Sequence, residues 1–359
     1  MISPPEYVLA INPYVPGKPV EELERELGIA HSVKLASNEN PVGPSPAAVD
    51  AVGKALSDIN RYPDGSGYHL KKVLSERLSV SDDEIILGNG SNELIAIAVR
   101  TFMTNSDEAV MATPSFVVYS MAVQSVGGVC VQVPLKNHAH DLDAMAAAVT
   151  PRTKMLFIAN PNNPTGTINK KDEFDRMMAD MPDDLIVVVD EAYFEYVSDP
   201  DYADSMRYLH SDRNILILRT FSKIYGLAGL RLGYGISKKD IISCMNRLRE
   251  PFNTSSVAQK AAIAALGDEE HLRRSRGVNE SGKEYLYRKL KEMGVAYVPT
   301  EANFVYMSVP DAPALYEKML RLGVIVRPMG PDSIRVTIGL PEENRRFVEA
   351  LRQTAEKRE

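Results

Sequence analysis

Seven short apolar runs, at 85–87, 109–112, 129–133, 155–159, 185–189, 215–218 and 233–236, alternate with stretches long enough for helices. No other feature limits the possible folds of this chain so strongly. Runs that are apolar throughout, and not at every second residue, suit strands covered on both faces, and helix-length connections make such strands largely parallel. The expected architecture is an α/β layer fold, with a buried sheet between helices.

The alternation stops near residue 255. Helical patterns at 258–266 and 269–293 are followed by an apolar segment at 303–309, a helix at 312–322, strands at 324–327 and 334–338, and a last helix from Glu342. We expect a large domain over 46–255 and a smaller α+β domain over 256–359. Residues 1–45 carry Pro4, Pro5, Pro13, Pro16, Pro19, Pro41 and Pro44. Proline fixes φ and lacks an N–H, so this segment is expected to be an arm packed with the small domain, with one helix near 20–27.

With 359 residues, 44% of them apolar, both cores can be filled. The net charge of −7 argues against a nucleic-acid surface. No apolar run approaches the ~18 residues of a membrane span, and MISPPEYVLAINPYVPGK lacks the basic and apolar segments of a secretion signal. Cys130 (in VCVQV) and Cys244 (in IISCMNRL) have apolar neighbours and read as buried reduced thiols, which fits a cytoplasmic protein. The histidines show no metal spacing beyond His138-Ala-His140, whose polar NHAHD setting reads as a solvated loop, so no metal is expected.

In open α/β sheets ligands bind outside the carboxyl ends of the strands. The residues there are GNGSNE (88–93), NPNNPTG (160–166), Asp190-Glu-Ala-Tyr193, and Ser222 with Lys223. Each group alone has a plain reading as a capped turn, a loop or a solvated charge. Asp190-Glu191 could also hold magnesium beside a phosphate loop, but no G-x-x-x-x-G-K-[ST] segment is present. RTFSKIYGLAGLRLGY (219–234) is harder to explain as surface, because it sets Lys223 between an apolar strand and a glycine run, with Arg231 beyond.

Together these groups suit one ligand. The helix start at Gly90, Ser91 and Asn92, with Ser222 and Arg231, would hold a phosphate. Asp190 would keep an aromatic nitrogen protonated, and Asn163 and Tyr193 would donate to a phenolate-type oxygen. Lys223 would meet an aldehyde. Pyridoxal 5′-phosphate has all four groups. Gly226, Gly229 and Gly233 would let the backbone approach it closely.

SKIYGLAGLRLGY, NPNNPTG and VVVDEAY resemble the fold-type-I aminotransferases that depend on pyridoxal 5′-phosphate. NPYVPGKPVEELERELG, KLASNENPVGPSP, RYPDGSG, GNGSNELI and IRVTIGLPEEN resemble, more narrowly, the histidinol-phosphate aminotransferase family of histidine biosynthesis, over nearly the whole chain. The resemblance implies a mostly parallel seven-stranded sheet. It implies transfer of an amino group between L-histidinol phosphate and 2-oxoglutarate, giving imidazole acetol phosphate and glutamate. Lys223 would bind the cofactor's aldehyde and later move the substrate proton. Asp190 would pair with the pyridine nitrogen, Phe116 (in TPSFVVY) would stack on the ring, and Asn163 and Tyr193 would hold O3′. Tyr62 (in RYPD) would reach the phosphate of the neighbouring subunit's cofactor, which implies a homodimer. Arg335 would bind the substrate's anionic end, with Arg327, Tyr14 and Asn163 beside it. The short PMGPDSI segment between the two arginines is expected to trim the pocket wall. An aminotransferase for aromatic amino acids and a decarboxylase of phosphorylated amino acids share these motifs and stay open. A regulator that uses this fold as an effector sensor would need a DNA-binding module, for which the first 45 residues leave no room.

Overall fold

The computed structural model describes residues 2–356. A first short strand, β1 (Val33–Lys34), belongs to the arm. The expected runs then form β2 (Ile85–Gly88), β3 (Glu108–Thr113), β4 (Val129–Pro134), β5 (Thr153–Ala159), β6 (Ile186–Asp190), β7 (Asn214–Thr220) and β8 (Gly233–Ser237). They make one seven-stranded sheet in the order β2-β8-β7-β6-β5-β3-β4. Strands β4, β3, β5, β6 and β7 pair in parallel, and β8 is antiparallel to both β7 and β2. Thus β8 alone runs against the rest.

The continuous apolar runs reflect cover on both faces. Val187 and Val189 of β6 enter one core with Phe174 and Phe221, while Ile186 and Val188 enter the other with Ile95 and Tyr119. Each such side chain contributes about 1.5–3 kcal/mol when fully removed from water. The edge strand β4 departs from the expected burial, since Val129 is exposed and Cys130 half-buried. Cys244 also departs: in the helix Lys239–Asn246 the inward face carries Ile241, Ile242 and Met245, and the winding turns Cys244 outward to solvent.

The remaining strands are β9 (Tyr297–Val298), β10 (Phe304–Ser308), β11 (Val324–Ile325), β12 (Arg327–Pro328) and β13 (Ser333–Thr337). A four-stranded antiparallel sheet, β12-β13-β10-β9, shares a core with Leu286 of the helix Glu269–Glu292, Met319 of Ala312–Arg321 and Phe347 of Pro341–Glu356. The run expected as one strand at 324–327 is divided. Val324 and Ile325 pair in parallel with β1 of the arm, and Arg327 and Pro328 pair with β13. Pro328 sits on an edge strand, where a missing N–H leaves no gap in the ladder.

The arm holds the expected helix, Val20–Leu27, closed by Gly28 at φ 64°, and a further short helix, Glu6–Leu9. It touches both larger parts of the molecule. Leu35 and Ala36 pack with the small-sheet elements, whereas Tyr7 lies against Gly127, just before β4. Among the described residues no helix is long and apolar enough to cross a membrane.

Candidate active site

A cleft of about 250 Å³ opens at the carboxyl ends of the parallel strands. The reversal of β8 is what brings Arg231 there. Gly233, the first residue of β8, pairs with the last residues of β2 and β7, Gly88 and Thr220, so the segment just before it lies at the same edge. The helix Ser91–Phe102 starts at this point behind Gly90, which takes φ 77°. A Cβ on Gly90 would stand 2.6 Å from Arg231 Nη2, and one on Gly233 would stand 2.7 Å from Ser91 N. The two glycines therefore preserve a cradle between free helix N–H groups and a guanidinium. Arg231 Nη1 donates to Ala228 O (3.0 Å) and reaches Ser222 Oγ at 3.5 Å, and Asn92 also borders the cleft.

Lys223 follows β7 and is covered by the arm. Its Nζ donates to Ser37 O (3.3 Å) and lies 5.5 Å from the centre of the Tyr193 ring. The turn behind it needs glycine at 226: φ is 69°, and a Cβ would stand 2.2 Å from Gly43 O. At Gly229 an added side chain would meet no atom of the described residues within 4 Å, so no neighbour within the described chain calls for glycine there.

Asp190 ends β6 and is buried. Tyr119 Oη donates to its Oδ2 (2.8 Å) and Ala192 N to its Oδ1 (3.1 Å). Burial pushes its pKa up to about 6, with those donors and the charge of Lys223 working in the opposite direction. Tyr119 was not foreseen, although it lies three residues after Phe116, and Phe116 meets it edge-on at 5.6 Å along the cleft wall. Glu191 points the other way, as successive residues in extended backbone do, and forms a buried ion pair with Arg219 Nε (2.8 Å). The carboxylate pair considered for magnesium is therefore split between two environments.

Arg335 on β13 comes from the small sheet. It donates to Asn163 Oδ1 and, through Nη2, to Ala36 O (2.8 Å). Its Nε is buried without a partner among the described residues, and burial lowers its pKa. Arg327 lies directly opposite it across the β12–β13 ladder, and the Tyr14 ring is 5.4 Å from the Arg327 guanidinium carbon. The PMGPDSI segment closes this hairpin, so the two arginines share one face and both border the cleft, as do Tyr14 and Met329. Tyr193 is buried and accepts a hydrogen bond from Asn38 Nδ2 (2.9 Å), a residue the sequence reading left unassigned. Tyr62 is not among the residues around the cleft of its own chain. It is 83% exposed and stacks on Phe252 at 4.7 Å.

The NHAHD loop is only half solvated. His138 is exposed, but His140 is buried and donates from Nε2 to Asn162 Oδ1 (3.0 Å), beside Asn163. Burial pulls its pKa down to about 4, so it is neutral near pH 7.

The class I and II aminotransferase family matches the chain over residues 30–351. The chain belongs to that family. This aminotransferase is 49% identical over 354 residues to a histidinol-phosphate aminotransferase of Moorella thermoacetica, covering 97% of this chain and 92% of the relative. With a histidinol-phosphate aminotransferase of Nitrosococcus oceani it shares 47% identity over 354 residues, covering 97% and 96% of the two chains. The aminotransferase superposes on the histidinol-phosphate aminotransferase of Sinorhizobium meliloti, solved in complex with pyridoxal 5′-phosphate, with a TM-score of 0.91, 28% identity and coverage of 98% and 97%. The α/β architecture is that of the fold-type-I aminotransferases.

Proposed function

We propose that this aminotransferase moves an amino group between L-histidinol phosphate and 2-oxoglutarate, a step of histidine biosynthesis that yields imidazole acetol phosphate and glutamate. The observation that carries the substrate reading is the arginine pair. Like charges directly across a strand pair repel, and a buried Nε with no acceptor among the described residues is an unmet donor. An anion with several oxygens relieves both. A phosphate monoester offers three such oxygens and, near pH 7, a charge of about −1.5 to −2, where a carboxylate offers two oxygens and one charge. Glutamate would place its α-carboxylate on the same arginines.

The cleft fits pyridoxal 5′-phosphate, which supplies an electron sink for the carbanion formed at the substrate's Cα. Gly90 and Ser91 at the helix start, with Asn92, Ser222 and Arg231, would hold its phosphate in the space the two glycines keep free. Asp190 would hold the pyridine nitrogen, and that cationic partner would favour the ionised carboxylate against the burial that disfavours it. With Asn163 Oδ1 turned to Arg335, its amide N–H groups are available to the phenolate-type oxygen, together with the Tyr193 hydroxyl. Phe116 would cover one face of the ring. Lys223 Nζ takes the proton from the substrate's Cα and later returns one, which requires its neutral amine.

We further read 46–255 as the cofactor-binding domain, 256–359 as the small domain and 1–45 as an arm that closes on both. The exposed Tyr62–Phe252 stack supports a homodimer in which Tyr62 reaches the partner subunit's cofactor phosphate. A cytoplasmic location fits the same pathway.

A substrate panel tests the reading. Histidinol phosphate should give a kcat/KM well above those of histidine, phenylalanine and tyrosine, and phosphothreonine should release no carbon dioxide. A preference for phenylalanine or tyrosine would reassign the enzyme to aromatic amino acids.

A further inference from the structure

We propose that Asn38, held by Thr337, is a positioning residue that fixes the direction of the Tyr193 hydroxyl proton, so that Tyr193 donates into the cleft. The inference rests on the cofactor reading above, in which Tyr193 donates to the cofactor's phenolate-type oxygen.

Asn38 is 1% exposed and holds φ at 55°, in the left-handed region that non-glycine residues rarely occupy. Its polar groups are all engaged. The backbone N–H donates to Thr337 Oγ1 (2.9 Å), and the carbonyl accepts from Asn303 Nδ2 (3.1 Å). Oδ1 accepts from Thr337 Oγ1 (3.2 Å), and Nδ2 donates to Tyr193 Oη (2.9 Å).

Counting protons gives the direction of this chain of bonds. The Thr337 hydroxyl receives the Asn38 N–H on its oxygen, and its single proton goes to Asn38 Oδ1. The amide oxygen of Asn38 is thereby held on the Thr337 side and its NH₂ on the Tyr193 side. A tyrosine oxygen that accepts from this NH₂ has no acceptor in that direction for its own proton. The proton is left to point into the cleft, which Tyr193 and Asn38 both border.

The chain of bonds joins three distant parts of the molecule, namely the arm, β13 and the turn after β6. Thr337 stands two residues beyond Arg335, on the same face of β13. The strand that brings the anion-binding guanidinium to the cleft therefore also sets the tyrosine.

Two variants separate positioning from support of the fold. Asn38→Asp keeps the shape but turns the donor into an acceptor, which draws the Tyr193 proton away from the cleft. Asn38→Gly accepts the left-handed backbone without strain and deletes the amide. The readout is the pH midpoint of the visible absorbance change of the cofactor-loaded protein, with kcat and KM measured alongside. An oxyanion that loses a donor becomes more basic, so the midpoint in Asn38→Asp should rise by about one pH unit. Tyr193→Phe should raise it similarly, and the double variant should rise no further. Asn38→Gly should give a smaller rise, because the freed hydroxyl can rotate.

A wild-type midpoint in both Asn38 variants, with a shifted one in Tyr193→Phe, overturns the proposal and leaves Asn38 a purely structural role. A further rise in the double variant overturns it as well, since it marks a through-space charge effect. If Tyr193→Phe leaves the midpoint unchanged, the donor role of Tyr193 fails and the inference falls with it. Absence of any cofactor band in the wild type instead overturns the cofactor reading.

Discussion

Replacing Arg327 by leucine should separate substrate recognition from stability, because the structure makes the first large and leaves the second close to zero. Arg327 is half-buried at the rim of the cleft, directly across the ladder from the buried Arg335. Losing it removes donors to the substrate's phosphate, and a hydrogen bond to a charged group is worth roughly 1.5–3 kcal/mol. The loss converts to a fall in kcat/KM for histidinol phosphate of about 10- to 100-fold. A carboxylate substrate uses fewer of those donors and should lose less. Folding should hardly suffer: the repulsion on Arg335 is relieved by about 0.2–1 kcal/mol, and the contact with the Tyr14 ring gives up a similar ~0.5–1 kcal/mol. Steady-state kinetics on histidinol phosphate and phenylalanine, and thermal melts with and without inorganic phosphate, read both sides. Wild type should gain melting temperature with phosphate according to RT ln(1 + [L]/Kd), and the variant should gain less. Equal loss on both substrates, or an unchanged phosphate response, would refute the assignment of Arg327 to the anion.

Reduction of the purified protein with borohydride should fix a pyridoxyl-phosphate mass on the peptide containing Lys223, and Lys223→Ala should lose about 10²–10⁴-fold in rate for want of the proton-transfer group; a modified peptide without Lys223 would contradict this. Asp190→Asn should keep the fold and cripple turnover, and near-normal activity with bound cofactor would count against the carboxylate. In the cofactor-free protein burial raises Asp190 from 3.8 to about 6. A raised folded pKa adds stability that is full below about pH 4 and lost as pH rises through about 6, so the asparagine variant should gain on wild type across that window by roughly 1–3 kcal/mol in denaturant titrations. Mixing Lys223→Ala with Tyr62→Ala subunits should recover activity in heterodimers, where one site keeps both groups. No recovery after demonstrated subunit exchange would argue against a shared site.

Much of this protein could be read locally. Continuous apolar runs such as VVV at 187–189 specify a strand because each residue must be covered whichever face it takes, and the polar residues after them mark the ligand edge for the same topological reason. Lys223, Asp190 and the helix start at Gly90 were legible because each follows its strand within a few residues. Patterns also mislead when the local signal has two outcomes. The apolar setting of Cys244 could not say which side of its helix faces water, and the polar setting of His140 did not reveal that Asn162 would cover it.

Periodicity and short-range chemistry are properties of neighbouring residues, and they marked the layer architecture and the carboxyl-end cluster, while the resemblance to a known family marked Arg327 and Arg335 as candidates. The tertiary structure alone decided how they meet. The reversal of β8 carries Arg231 to the helix start at Gly90, and the division of 324–327 between two sheets sets Arg327 across from Arg335. Tyr119 finds Asp190 across 71 positions of chain, and Asn38 finds Thr337 across 299. Such hydrogen bonds have no local signature, because donor and acceptor become neighbours only when the burial of distant apolar segments has brought their strands together.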